Sequence, residues 1–192
     1  MNTPDESVML AVKGNDVGQL AIVFERHYRR LFDYFFQMTL SRTVSEDLVQ
    51  DVFVRMLKYR STFNTESRFV PWMFKIARNA RLQYFKVKHR DEKEIADIDP
   101  NTVPVESVDT ERTFQLYEAL FRLSEDKREL LVLAKYHGLS SEEIAELLEI
   151  DVGTLRVRLH RAMNDLRELV LNPSKEKAKC IAPKRKTGLR TT

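Results

Sequence analysis

The chain has 192 residues, 43% hydrophobic and 32% charged, with only five Gly and six Pro, a balance that suits helix-rich structure and disfavours a strand-and-turn architecture. A single cysteine, Cys180, and four histidines exclude an internal disulfide and a zinc cluster of the usual spacing, and no run approaches the roughly 18 apolar residues of a membrane span. The net charge of +3 is too small to indicate nucleic acid, so only the distribution of charge bears on that partner.

The opening MNTPDESVML has no basic segment followed by an apolar run, so a cytoplasmic chain without membrane insertion is expected. Residues 16–40 carry Leu20, Val23, Phe24, Leu31 and Phe35 at helical spacing and predict a long amphipathic helix. Ser45, followed by Glu46 and Asp47, is the expected N-cap of a second helix that runs to about Tyr59. Its apolar stripe is Leu48, Val49, Val52, Phe53 and Met56, and its polar side presents Asp47, Gln50, Asp51 and Lys58 around Val54. A solvated face explains that polar side equally well. The loop RSTFNTESRF, residues 60–69, leads to a third helix beginning near Pro71, a residue suited to a first turn.

In this third helix a stripe of Met73, Ile76, Ala77, Ala80, Tyr84 and Val87 is set apart from a side bearing Lys75, Arg78, Asn79, Phe85 and Lys86. From Arg68 to Arg90 there are seven Lys and Arg (Arg68, Lys75, Arg78, Arg81, Lys86, Lys88 and Arg90) and no acid. Cations interleaved with rings suit single-stranded nucleic acid, because charge follows the phosphates and unpaired bases stack on rings. Phe63, Phe69 and Trp72 read as core residues on equal terms.

The sign then reverses. Asp91, Glu92, Glu94, Asp97, Asp99, Glu106, Asp109 and Glu111 stand against the lone Lys93, with two prolines among them, which predicts a flexible acidic linker at 91–111. The fold expected is all-α, with two small helical domains at 1–90 and 112–171 and a basic tail at 172–192 that holds Cys180. In the second domain FQLYEALFRL forms one helix, and Ser124 caps another, EDKRELLVLAKYH, which Gly138 ends. Ser140 and Glu143 have capping-box spacing, and Asp151 is the N-cap of a last helix from Val152 to about Leu171.

Two helices joined by a short turn, with Ala145 at the close approach, have the layout of a helix-turn-helix. On the last helix Leu155, Leu159, Ala162, Leu166 and Leu169 share one side, and Arg156, Val157, His160, Arg161 and Asn164 share the other. An arginine on a recognition helix can pair with guanine through two hydrogen bonds, worth roughly 1–3 kcal/mol of discrimination. Arg156 and Arg161 are the candidates, against the plainer reading of a solvated basic face.

GLSSEEIAELLEIDVGTLRVRLHRAMNDLREL resembles region 4 of the extracytoplasmic-function (ECF) group of bacterial sigma-70 factors. SEDLVQDVFVRML resembles region 2.2 of that family, and RFVPWMFKIARNARLQYFKVKHR its regions 2.3 and 2.4. The matches stand in the family's order, with an acidic linker in place of a middle domain. Two departures stand out: Glu149 replaces a turn glycine common in relatives, and Val157 replaces a small polar residue.

The resemblance implies a transcription initiation factor with no catalytic residue, metal or cofactor. It implies minus-35 contacts by Thr154, Arg156, Val157, His160 and Arg161. It implies minus-10 contacts by Phe63, Asn64, Arg68, Phe69, Trp72, Lys75, Arg78 and Asn79. It further implies docking of Asp47, Gln50 and Asp51 on the clamp helices of the largest subunit of core RNA polymerase, region 4 on the beta flap, and an anti-sigma inhibitor. The competing expectation is a stand-alone regulator with a LuxR-like reader. An enzyme acting on nucleic acid is disfavoured, because the carboxylates sit at helix N-termini and in the linker, where capping and solvation explain them.

Overall fold

A computed structural model describes residues 3–64, 66, 68–91 and 110–171. The acidic stretch 92–109 and the basic tail from 172, with Cys180, lie outside the described residues. Every regular element among those described is helical: α1 (Asp5–Lys13), α2 (Leu20–Thr39), α3 (Arg42–Lys58), α4 (Phe69–Asp91), α5 (Thr110–Arg122), α6 (Glu125–Leu131), α7 (Ser141–Leu148) and α8 (Val152–Leu171).

The sequence reading places no helix before residue 16, yet α1 forms there, with Asp5 and Glu6 at its positive end and Lys13 at its negative end. Val8, Met9 and Val12 supply its buried stripe. Asp5 anchors it to α2, accepting hydrogen bonds from Arg26 Nη1 and from His27 Nε2, each at 2.7 Å. Burial raises the Asp5 pKa, but those two hydrogen bonds outweigh it and hold the carboxyl below its ordinary value.

The expected start of the second helix moves. Ser41, in extended conformation, is the N-cap of α3, and its Oγ accepts from the Val44 N–H at 3.4 Å. Ser45 lies inside the helix, buried, with its hydroxyl donating to the Ser41 carbonyl at 2.6 Å. Both serines have cap chemistry, but Leu40, held at φ 50°, turns the chain early enough that Ser41 meets the free amides. Ser124 sits at the N-cap position of α6 but makes no side-chain cap hydrogen bond, whereas at Gly138 and Ser140 the local chemistry matches the expectation. Gly138 has φ 62°, and Ser140 and Glu143 form the reciprocal capping box at 3.2 and 2.8 Å.

The stretch predicted as one helix after Ser124 is α-helical only to Leu131 and then widens into a π-helical turn, Val132–Tyr136, where the His137 N–H reaches the Val132 carbonyl. Arg128 on α6 donates to the carbonyls of Leu120, Phe121 and Leu123 and so closes the C-terminal end of α5.

The core of the first unit is built from α1 to α4 around Leu31, Tyr34, Phe35, Val52, Met73 and Phe74. Leu130, Val132, Leu133, Ile144, Ala145 and Leu155 of the second unit belong to the same continuous core. A smaller cluster of Leu120, Leu123, Leu131 and Ala162 holds α5 and α6 on α8. The two helical units therefore lie directly against each other, and α8 packs one side inward while its other side stays exposed.

Candidate nucleic-acid interface

The helix-turn-helix is α7 and α8. The turn between them passes through Glu149, a non-glycine residue at φ 56° and ψ 44°, and the Ile150 N–H closes it onto the Ala145 carbonyl at 3.0 Å. Asp151 Oδ1 then accepts the Thr154 N–H at 2.7 Å, capping α8. Hydrogen bonds from Thr154 keep the Asp151 carboxyl below its ordinary pKa. Leu155 and Ala162 are fully buried. That fixes the opposite side outward: Val157 is 51% exposed, His160 and Arg161 are exposed, and the Arg156 side chain is 68% exposed, 3.7 Å from Glu142. Thr154 is half-buried at the first turn. Arg156, Val157, His160 and Arg161 thus form one outward patch, with half-buried Thr154 at its N-terminal edge.

The second basic surface depends on α1, which sequence reasoning missed. Lys13 Nζ donates to the Phe63 carbonyl at 2.7 Å, and Glu6 Oε1 accepts the Phe69 N–H at 3.0 Å. Phe63 and Phe69 are therefore both held by side chains that one helix presents. Phe63 and Phe69 are fully buried, with Trp72 packed on both at centroid distances of 5.2 and 6.1 Å. In this arrangement the two phenylalanines are core residues, and neither offers an open face to a base. Asn64, Arg68, Lys75 and Asn79 are exposed, while Trp72 and Arg78 are half-buried. The signal for α1 was present in the sequence: acids at residues 5 and 6 ahead of apolar residues 8, 9 and 12.

On α3, Asp47 and Gln50 are exposed, Asp51 is half-buried and Val54 is 66% exposed. Asp51 Oδ2 accepts from Arg55 Nε at 2.8 Å, and Arg55 Nη2 reaches Gln83 Oε1 on α4 at 2.9 Å. Together with Tyr84 and the exposed Val87, these groups line a shallow cleft between α3 and α4. An acidic rim around apolar side chains suits a protein partner more than a polyanion.

Two family models match the chain: Sigma-70 region 2 over residues 23–91 and Sigma-70, region 4, over residues 113–166. The RNA polymerase sigma factor CarQ of Myxococcus xanthus is 32% identical over 151 residues, which are 77% of this chain and 87% of that protein. The chain belongs to the ECF sigma factors of RNA polymerase. The ECF RNA polymerase sigma factor SigX of Bacillus subtilis is 26% identical, with 77% of this chain and 81% of the relative covered. Two solved structures share the fold. CnrH in complex with the cytosolic domain of CnrY has a TM-score of 0.68 at 21% identity, covering 86% of this chain and 96% of CnrH. RpoE of Bartonella quintana, in complex with the anti-sigma factor NepR, has 0.66 at 24%, covering 79% and 96%. As a sigma factor the chain binds core RNA polymerase and directs initiation at promoters. The region 2 match across the first unit sets aside the stand-alone regulator. No described helix is long and apolar enough to cross a membrane.

One member of the sigma factor's basic run does not face outward. The Arg81 side chain is 1% exposed. Its guanidinium donates to Glu129 Oε1 at 2.9 Å and pairs with Glu125, both on α6, and Tyr34 Oη donates to the same Glu129 oxygen at 2.9 Å. Burial opposes the charge on Arg81, but Tyr34, Glu129 and Glu125 outweigh it and raise its pKa above the ordinary value. On the helical wheel Arg81 lies about 80° from Met73, at the edge of the apolar stripe, a position that marks it as an inward charge. His137 crosses in the other direction. It packs between Tyr34 and Phe74 at 5.8 and 5.0 Å, and Arg30 donates to its carbonyl.

Proposed function

We propose that this sigma factor reads promoters with two separate surfaces and docks on polymerase with a third. Thr154, Arg156, Val157, His160 and Arg161 enter the major groove of the minus-35 duplex, with Val157 against a thymine methyl. Asn64, Arg68, Trp72, Lys75, Arg78 and Asn79 hold the melted minus-10 strand, and buried Phe63 and Phe69 keep the loop in shape for it. No covalent step is needed, because binding of the unpaired strand offsets unstacking of about 1.4 kcal/mol per base step. Asp47, Gln50 and Asp51 dock on the clamp helices, and the second unit on the beta flap. The division runs 1–90 for docking and melting, 91–111 as linker, 112–171 for minus-35 reading and 172–192 as a basic tail. Similar chains solved with anti-sigma partners support a protein inhibitor for this chain as well.

The observation that carries this reading is the outward patch of Arg156, Val157, His160 and Arg161 above a fully buried Leu155 and Ala162. It is tested by run-off transcription with core polymerase over a genomic promoter library. Arg156→Ala and Arg161→Ala should each weaken selection of minus-35 sequences by about 1–3 kcal/mol while core binding stays at the wild-type level. Unchanged selectivity would remove the minus-35 assignment.

A further inference from the structure

Two cations on the side assigned to the melted strand, Arg68 with its side chain 75% exposed and Arg78 with 28%, already pair with carboxylates of the other unit. Arg68 Nη1 lies 2.6 Å from Glu143 Oε1, and Arg78 Nε lies 3.3 Å from Glu129 Oε2. We propose that the second unit occludes the first in cis, its Glu129 and Glu143 carboxylates occupying the guanidinium groups that would otherwise take DNA phosphates.

A carboxylate and a phosphate present the same paired oxygens to a guanidinium, so they compete for one geometry. Glu129 is 4% exposed in its side chain. Burying such a charge is costly unless it is paired, and Tyr34, Arg81 and Arg78 supply that pairing from the first unit. Its hydrogen-bond partners thus hold the two units together as well as covering Arg78. Glu143 divides its oxygens: Oε2 caps α7 through the Ser140 N–H, and Oε1 faces Arg68. Lys75 and Trp72 line the same cleft as Glu143 and Glu146, so a strand on this side would meet acids as well as bases. The exposed side of α3 stays open. The closed arrangement thus leaves the proposed docking face accessible while it covers Arg78 and pairs Arg68. When the competent form is a fraction of the whole, apparent affinity falls by that fraction.

The proposal rests on the assignment of Arg68 and Arg78 to the melted strand. It is tested in the full-length chain carrying Cys180→Ser, with a dye pair at Lys58→Cys and Glu168→Cys, both exposed positions on opposite units. The binding probe is a fluorescein-labelled, mixed-sequence single-stranded DNA of about 12 nucleotides. Glu129→Gln with Glu143→Gln should lower energy transfer between the dyes and tighten DNA binding by about tenfold. Adding Arg68→Ala and Arg78→Ala to that background should abolish the gain. Glu143→Gln alone keeps the capping box, since glutamine also caps. It should give part of both changes even where circular dichroism finds Glu129→Gln unfolded. DNA binding that depends on Arg68 and Arg78 but is equal in wild type and the double variant overturns the occlusion and leaves the site reading standing. Separated dyes with no DNA binding in any variant overturn both.

Discussion

Glu149 occupies the left-handed region at φ 56°, where a side chain crowds the following carbonyl at a cost of about 1 kcal/mol and glycine does not. The turn tolerates this because the Glu149 and Ile150 amides both return to α7, to the carbonyls of Glu146 and Ala145, so the last helical turn is closed without glycine. Glu149→Gly should therefore stabilise the chain by about 0.5–1 kcal/mol, an increase in thermal midpoint that calorimetry will register. A lower midpoint would mean that the extra freedom glycine brings to the unfolded chain outweighs the strain. The resemblance marks this position in the sequence, since relatives place Gly there. Arg81 differs at the same scale. A count of charge assigns it to a basic surface, whereas its wheel angle beside Met73 and Phe74 places it at the interface with α6.

At the scale of elements, α1 has a role that exceeds its nine residues. It packs Val8, Met9 and Val12 into the core and holds Phe63 and Phe69 through Lys13 and Glu6. Glu6→Ala leaves the Phe69 N–H without its partner, a loss comparable to removing a helix cap, typically about 1 kcal/mol. We expect a modest drop in thermal midpoint and weaker binding of minus-10 single-stranded DNA, with minus-35 duplex binding unchanged. A variant with wild-type minus-10 affinity would show that α1 supports the fold and not the loop. Helix periodicity placed α2, α4 and α8 well, because a one-sided stripe repeats locally. The start of α3 was less legible: Ser41 and Ser45 have the same chemistry, and only the left-handed Leu40 decides between them. The π turn after Leu131 leaves no such local mark.

For the whole molecule, His137 ties the second unit to the first. Burial, reinforced by Arg30, pushes its pKa down to about 3 from the ordinary 6.5. Within the closed arrangement it therefore stays neutral, while an opened chain would expose it to water and let it take a proton below about pH 6.5. The closed state is then fully favoured above about pH 6.5 and loses its advantage as pH falls toward 3, by about 1.4 kcal/mol, or tenfold in the ratio of open to closed, per unit. With the same dye pair, lowering the pH from 7.5 to 5.5 should raise the open fraction about tenfold, and His137→Gln should flatten the response. Equal energy transfer at both pH values would show that His137 stays covered when the units separate.

Periodicity, caps and charge blocks told from the sequence alone that the chain is all-α, that it carries a helix-turn-helix, and that its bases and acids are sorted into blocks. These are properties of neighbours within a turn or two, where each stripe and each cap is self-contained. Which charges are surface and which are locks was decided only in three dimensions. The pairing of Arg81 and Arg78 with Glu129 spans 48 and 51 residues, and a buried carboxylate is stable only where distant parts of the chain bring it its partners.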